Sequence, residues 1–308
     1  MAANPELSSQ KPLRTKRYPF ARLVPYANIA PFYLLFLIFG LFPIAFSAVL
    51  AFSHWDGLGD ITFIGWANFA KLLHDDTFWL ALKNTLIIWG VGTFPMLAGA
   101  LVLAYFISLK FIKHRRLLEV LFFLPNVTSI VAITLLFGLI FSNVNGLANN
   151  ILSWFGIAPI AWLKTPLWLQ LVIASVNMWQ YLGYNMLLYL TGITKIPKSL
   201  FEVAALAGTS RWQTFRFVII PQLRPIILFT LIMSTIGGLQ VFTEAQVLAP
   251  NASAEGGALT VVYYLYTSAF QDHQYGYGAA IAWALVMIIL FFSGLNWLVN
   301  HKLGGRKA

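Results

Sequence analysis

The sequence predicts an all-α, polytopic membrane protein with six transmembrane helices and a helical loop on its cytoplasmic side. Three observations carry that prediction. Of the 308 residues, 59% are hydrophobic and 10% charged, where an ordinary soluble domain has about 25% charged residues. Six long intervals contain no Asp, Glu, Lys or Arg: 23–55, 84–109, 120–163, 165–194, 225–243 and 274–300. Seventeen of the twenty Lys and Arg side chains fall on one side of the spans these intervals define. Such a chain is too apolar for a soluble enzyme and too apolar for disorder. Without cysteine, disulfides, thiolate nucleophiles and cysteine-bound zinc are excluded together.

Trimmed at turn-forming and polar clusters, the intervals give spans near 29–52, 84–109, 117–141, 167–190, 225–247 and 277–299. Each is close to the roughly 20 residues that cross a bilayer. The first follows a basic segment, and its apolar stretch of about 24 residues exceeds the 7–15 of a cleaved signal. It reads as an uncleaved span. The third interval is too long for one helix. Its second half, Ser142–Lys164, holds Asn143, Asn145, Gly146, Asn149, Asn150, Gly156 and Pro159. That half reads as an external loop with a short interfacial helix over Leu147–Phe155. Pro125, followed by Asn126, Thr128 and Ser129, is placed to break the third span.

Orientation follows from the basic residues. Lys11, Arg14, Lys16, Arg17, Arg22, Lys110, Lys113, Arg115, Arg116, Lys195, Lys198, Arg211, Arg216, Arg224, Lys302, Arg306 and Lys307 share one side; Lys71, Lys83 and Lys164 take the other. Both termini are therefore expected in the cytoplasm. Asp56, Asp60, Asp75, Asp76, Glu255 and Asp272 all fall outside, with Trp55, Trp66 and Trp79 as interfacial anchors there and Trp297 near the inner end of the last span. The net charge of +10 thus reads as cytoplasmic loops against lipid and calls for no nucleic-acid partner. One membrane domain over 29–300 is expected, with a loop at 195–224, between a cytoplasmic N-terminal segment (1–28) and a C-terminal tail (301–308).

The loop KIPKSLFEVAALAGTSRWQTFRFVIIPQLRP is the most specific local signal. Ser199 with Glu202 reads as a capping box opening a helix over about 200–207, and Gly208 as its C-terminal stop. Ser210 with Gln213 repeats the box for a helix over about 211–219, which Pro221 stops or kinks. The first helix displays Leu200, Phe201, Val203, Ala204, Leu206 and Ala207, too apolar for a solvated loop. It either seats in a groove on a partner or packs beneath the membrane domain.

This stretch resembles the EAA loop of ABC importer permeases, patterned E-A-A, three residues, G, nine residues, I, one residue, L-P. Glu202 fills the acidic position, Ala204 the second alanine, Gly208 the glycine and Pro221 the proline, with Ala205 beside them; Val203, Val218 and Ile220 are conservative departures. Ala207 stands where aspartate is common. FIGWANFAKLL resembles the F-x-G-x-x-N-F segment before the second span of sugar-type permeases, and QVFTEAQVLAP with GGALTVVYYLYTSAFQDHQYGYGAAIAW their fifth loop and sixth span. The chain is therefore similar, over most of 30–300, to the carbohydrate-uptake permeases of the maltose and glycerol-3-phosphate type. The resemblance implies a type I importer fold in a bacterial inner membrane. It also implies a coupling helix at Glu202 seated in a cytoplasmic ATPase dimer, with ATP and Mg held by that partner. A second permease subunit, a distinct homologue or a second copy, and an extracytoplasmic sugar-binding protein complete the expected assembly.

Polar residues inside spans are costly and face a cavity or a neighbouring helix. Asn177, Gln180, Tyr181, Tyr184 and Asn185 recur at helical spacing on the fourth span, one stripe. On the fifth, Gly237, Gln240, Thr243 and Glu244 share a face, and Gly237-Gly238 allows close approach or local unwinding. Amides and a carboxylate suit sugar hydroxyls, and Trp179, Tyr181 and Tyr184 suit the C–H face. The same groups also suit interhelical hydrogen bonding. No Lys or Arg lies well inside a span, which disfavours an anionic cargo there.

No enzymatic constellation emerges. There is no G-x-x-x-x-G-K-[ST], so no phosphate-cradling loop, and no cofactor or metal is expected on this chain. His54, His74, His114, His273 and His301 lack metal-ligand spacing, and Asp75-Asp76 reads as a solvated charge pair. The alternative to an ATP-driven importer is an ion-coupled secondary carrier of a small polar solute, for which Glu244 is the single intramembrane carboxylate.

Overall fold

The computed structural model describes residues 24–109, 113–250 and 256–304. Expectations on the basic N-terminal segment, Lys110, Glu255, Arg306 and Lys307 lie outside these residues. The chain divides into two compact units, parted between Val49 and Leu50. The first contributes helix α1 (Val24–Phe36), a π-turn (Leu37–Leu41) and most of α2 (Phe42–Ala51). Phe32, Phe39 and Phe42 on it are exposed, as an apolar helix meant for lipid requires.

The second unit begins with a small hairpin in which β1 (Ser53–His54) pairs antiparallel with β2 (Thr62–Phe63). Helices α3 (Ala67–Leu73) and α4 (Asp76–Ser108) follow. The latter starts eight residues before the expected span because Asp75 caps it: its carboxylate accepts from the backbone N–H groups of Thr77 at 2.9 Å and Phe78 at 3.4 Å. The third span is α5 (Arg115–Phe123), a 3-10 turn (Leu124–Val127) and α6 (Ile130–Ile140). The two limbs are bent by 97°, at the break expected from Pro125. The short α7 (Leu147–Trp154) sits in the following loop, as expected.

Helix α8 (Pro166–Thr194) starts at a proline in its first turn and pairs closely with α4. Gly92 on α4 brings the two backbones together, since a Cβ there would lie 3.4 Å from the Ala174 carbonyl. On the opposite side, Gly183 admits α5: a Cβ would lie 1.7 Å from the Phe122 carbonyl oxygen. Two apolar clusters result. One gathers Phe78, Trp89, Leu169, Ile173, Tyr263 and Tyr277; the other gathers Ala100, Ala104, Met186, Tyr189, Phe215 and Leu223.

The loop after α8 forms α9 (Lys198–Leu206) and α10 (Arg211–Thr214). From α10 the chain continues through a π-turn (Phe215–Ile219) into α11 (Ile220–Gly238), one uninterrupted 28-residue helix from Arg211 to Gly238. This corrects the separate helix at 211–219. Pro221 does not stop it: a π-turn stands just before the proline, and the helix runs on through it. The fifth span expected over 225–247 instead ends at Gly238, and Glu244 follows the break on α12 (Thr243–Leu248). Helix α13 (Val261–Tyr266), a π-turn (Thr267–Gln271) and α14 (Tyr275–Gly304) complete the unit.

Among the described residues, four helices, over 26–51, 76–108, 211–238 and 275–298, are long and apolar enough to cross a membrane unbroken, and the bent pair makes up to five. Helix α8 supplies length for a sixth, about 43 Å at 1.5 Å per residue, while its amides and tyrosines dilute its apolar character.

Candidate functional site

A cavity of about 470 Å³ occupies the stretch between the two apolar clusters. Its walls are α4, α8, α11 and the segment at the break after Gly238. All seven residues expected along a substrate path line it: Asn177, Gln180, Tyr181, Tyr184, Asn185, Gln240 and Glu244. Gln180 and Glu244 are each only 6% exposed. Tyr181 and Tyr184 are open to solvent or ligand, and Gln240 is exposed. After the break Glu244 is turned inward, where the Asn177 amide hydrogen-bonds its carboxyl.

Of the two glycines of the fifth span, one gives the close approach expected. Gly237 opens on the cavity with nothing within 4 Å of a Cβ position, and Gly238 seats against Trp89. Some cavity polar groups are satisfied on their own helix: the Asn185 amide donates to the Tyr181 carbonyl at 2.9 Å. Others are not. Oε1 of Gln180 and Nε1 of Trp89 are buried without a hydrogen-bond partner. Trp179, expected with Tyr181 and Tyr184 on the sugar's C–H face, instead has its ring centroid 5.8 Å from that of Phe137 of α6 and is not among the residues lining the cavity. Trp89, Thr93 and Met96 of α4 line the cavity although the sequence analysis passed over them. Their spacing of four and three residues was the available signal.

The loop between α8 and α11 forms a compact foot. Its first helix does not begin at a Ser199 capping box: Pro197 occupies the cap position with no side-chain bond, and Ser199 lies within the helix. Pro197 precedes a residue free to enter the helix, so the turn starts there and the hydroxyl at 199 comes too late to cap. The stop is as expected. Gly208 has φ +67°, its N–H donates to the Ala205 carbonyl at 3.0 Å, and the Thr209 N–H donates to the Ala204 carbonyl at 3.1 Å, a Schellman closure. The second box also forms, with the Ser210 N–H donating to Gln213 Oε1 at 2.7 Å and the Gln213 N–H to Ser210 Oγ at 3.3 Å. Ala204 is buried, whereas Glu202, Val203 and Ala205 are exposed and Leu206 is 89% exposed. Tyr105 of α4 donates to the Arg211 carbonyl at 3.2 Å, tying the foot to the helix behind it. Pro221 is half-buried where this foot meets α11.

At the opposite end, two polar nodes close the unit. Asn84 of α4 donates to the carbonyls of Gly256 at 2.8 Å and Leu259 at 2.9 Å, and accepts from Gln170 of α8 at 2.9 Å. Asp75 is not a freely solvated charge: it accepts from the hydroxyls of Tyr264 and Tyr277. Lys71 lies 4.1 Å above the Tyr277 ring and donates to Gln274 at 2.8 Å. Partial burial raises the Asp75 carboxyl, but the two hydroxyls and the Thr77 and Phe78 N–H groups together hold it below the usual carboxylate value. Burial and the bond to Asp75 push the Tyr264 phenol up to about 12. Among the described residues, no group of three or more His, Asp and Glu is placed to hold a metal.

Residues 96–303 match the family model described as binding-protein-dependent transport system inner membrane component. The chain is 35% identical to the lactose transport system permease of Rhizobium radiobacter, over 89% of this chain and 93% of that one. It is 34% identical to the arabinooligosaccharides transport system permease of Bacillus subtilis, over 92% and 89%. Among solved structures, it resembles a bacterial ABC transporter involved in the import of the acidic polysaccharide alginate, with a TM-score of 0.81 and 26% identity over 92% of this chain and 97% of that one.

Proposed function

As the chain belongs to the family of binding-protein-dependent transport system inner membrane components, we propose that it conducts a sugar across the membrane as the permease subunit of an ATP-driven importer. The observation that carries this reading is the cavity: seven polar and aromatic residues chosen by helical spacing converge on one chamber without a basic side chain among its lining. Amides and a carboxyl bond hydroxyls, and tyrosine faces cover C–H surface. An extracytoplasmic binding protein delivers the cargo, a second permease subunit faces this one, and ATP is hydrolysed with Mg on separate cytoplasmic subunits. A structural relative, a bacterial alginate ABC transporter in complex with alginate pentasaccharide-bound periplasmic protein, supports that assembly.

Exposed Glu202, Val203, Ala205 and Leu206, presented by the turn at Gly208, supply the coupling surface for the ATPase. Six crossings with both termini in the cytoplasm put this foot and the distribution of basic residues on the same side. Reconstitution of the chain with its second permease, its ATPase subunits and its binding protein tests the proposal. Uptake of the sugar captured by that binding protein should require both ATP and the binding protein. Uptake driven by an imposed proton or sodium gradient alone would favour the ion-coupled carrier instead.

A further inference from the structure

We propose that helix α7 is seated in the membrane surface, with its apolar face among the lipids at the boundary between headgroups and acyl chains. This rests on the reading of α6 and α8 as parts of membrane spans. Leu147, Ile151, Trp154 and Phe155 stand at i, i+4, i+7 and i+8 and so share one face of the helix. All four are exposed, Trp154 by 80% and Phe155 by 74%.

The opposite face is committed to the loop itself. Asn149, 7% exposed, donates to the Ile160 carbonyl at 3.0 Å and accepts from the Ile160 N–H at 3.0 Å and the Trp162 indole N–H at 2.9 Å. Gly156, at φ +70°, turns the chain back to make those bonds, with the Ile157 N–H closing on the Leu152 carbonyl at 3.1 Å. The Trp162 ring meets Phe141 and Trp168 edge-on, with centroids 5.2 and 4.9 Å away. That ties the clamp to the end of α6 and the start of α8. The helix cannot roll its apolar face inward without breaking these contacts.

Two observations name lipid as the occupant. The stretch 120–163 holds no Asp, Glu, Lys, Arg or His, so the face has no charge with which to orient a protein partner. The loop also leaves α6 after Ile140 and enters α8 at Pro166, which holds both its ends at one surface of the membrane. Exposed Leu136 and Leu139 on the last turns of α6 lead along the chain to exposed Val144 and Leu147. Trp and Phe on an uncharged helix at that level suit the interface, where binding then follows apolar area and not headgroup charge.

The chain has no cysteine, so a single introduced one takes a spin label at a chosen site. Phe155→Cys, Ser153→Cys and Leu136→Cys are labelled separately and assembled with thiol-free partner subunits in phosphatidylcholine nanodiscs. Collisions with oxygen and with an aqueous nickel chelate are then compared. The ratio of oxygen to chelate collisions at position 155 should exceed that at position 153, on the polar side of the helix, several-fold. Added phosphatidylglycerol should leave that ratio unchanged. Equal chelate access at the two positions would overturn the proposal. So would a label at 155 shielded from both reagents, which would put a protein subunit over the face. A ratio that rises only with anionic lipid would overturn the uncharged mode of binding. Chelate access at position 136 would instead overturn the reading of α6 as part of a span.

Discussion

A Cβ atom on Gly238 would lie 2.6 Å from Cδ1 of Trp89 and 3.1 Å from Oγ1 of Thr93. The indole lies between Phe94 and Phe292, with ring centroids 5.5 and 5.1 Å away. Gly238→Ala should therefore destabilise the protein by about 1–3 kcal/mol, the usual cost of overpacking, and slow uptake by moving Trp89 within the cavity wall. Thermal unfolding and transport in proteoliposomes read the two effects. Unchanged values in both would show that the indole moves freely.

Gln180 separates transport from stability. Its buried Oε1 bonds nothing, so Gln180→Met should leave the melting temperature unchanged or raised. Loss of one hydrogen bond to the cargo, about 0.5–1.5 kcal/mol, should lower the rate at limiting sugar roughly two- to tenfold. A stability loss with intact uptake would assign the side chain to the scaffold.

Gly208 isolates a conformational requirement. No atom lies within 4 Å of a Cβ built there, and its φ is +67°, so backbone strain is the whole cost of a side chain. Gly208→Val should cost about 1–2 kcal/mol locally and uncouple ATP hydrolysis from uptake. Gly208→Asn, which tolerates the left-handed region, should retain both. Equal behaviour of the two variants in ATPase and uptake assays would refute the capping account.

Asn84 is 3% exposed and joins α4 to α8 and to the 256–259 turn. Asn84→Ala removes three hydrogen bonds, but the Gln170 amide keeps the Gly257 carbonyl at 3.3 Å and the Gly256 carbonyl keeps the Leu259 N–H at 3.1 Å, so the loss falls chiefly on the Leu259 carbonyl, at about 1–3 kcal/mol. A lowered unfolding midpoint, with the same denaturant slope, is the expected result.

Asp75 gives a pH signature. Its carboxyl is depressed below 3.8 in the folded chain, so its stabilising effect is complete above that value and fades as pH falls through the folded pKa. Asp75→Asn should melt earlier than the parent at neutral pH, with the difference closing in acid. Tyr264, raised from 10.0 to about 12, holds its proton longer in the folded state. That stability is present below pH 10 and is lost as pH rises through about 12. In Asp75→Asn the phenolate absorbance of Tyr264 should appear closer to its ordinary pH.

Much of the cavity was legible in the sequence because amides on an otherwise apolar helix are expensive, and their spacing marks one face. Asn177, Gln180, Tyr181, Tyr184 and Asn185 indeed line one chamber. The turn at Gly208 and the Ser210 box were legible for a local reason: each is written within a few residues. Ser199 misled because Ser-x-x-Glu is also compatible with positions inside a first turn, and Pro197 two residues earlier decides where that turn starts. The π-turn before Pro221 and the break at Leu239–Phe242 were hidden, since both are settled by packing between helices and not by the residues alone. Asp75 looked solvated because its partners, Tyr264 and Tyr277, stand 189 and 202 positions away.

The uninterrupted run from Arg211 to Gly238 has a mechanical consequence. Over about 42 Å at 1.5 Å per residue, it runs without a non-helical residue from the loop beside Thr209 to the cavity wall. A small tilt imposed beside Thr209 becomes a larger sideways excursion at Gly238, as at the long arm of a lever. The give is placed beyond that point, at Leu239–Phe242, so one wall of the chamber swings while the carboxyl on the following short helix keeps its station.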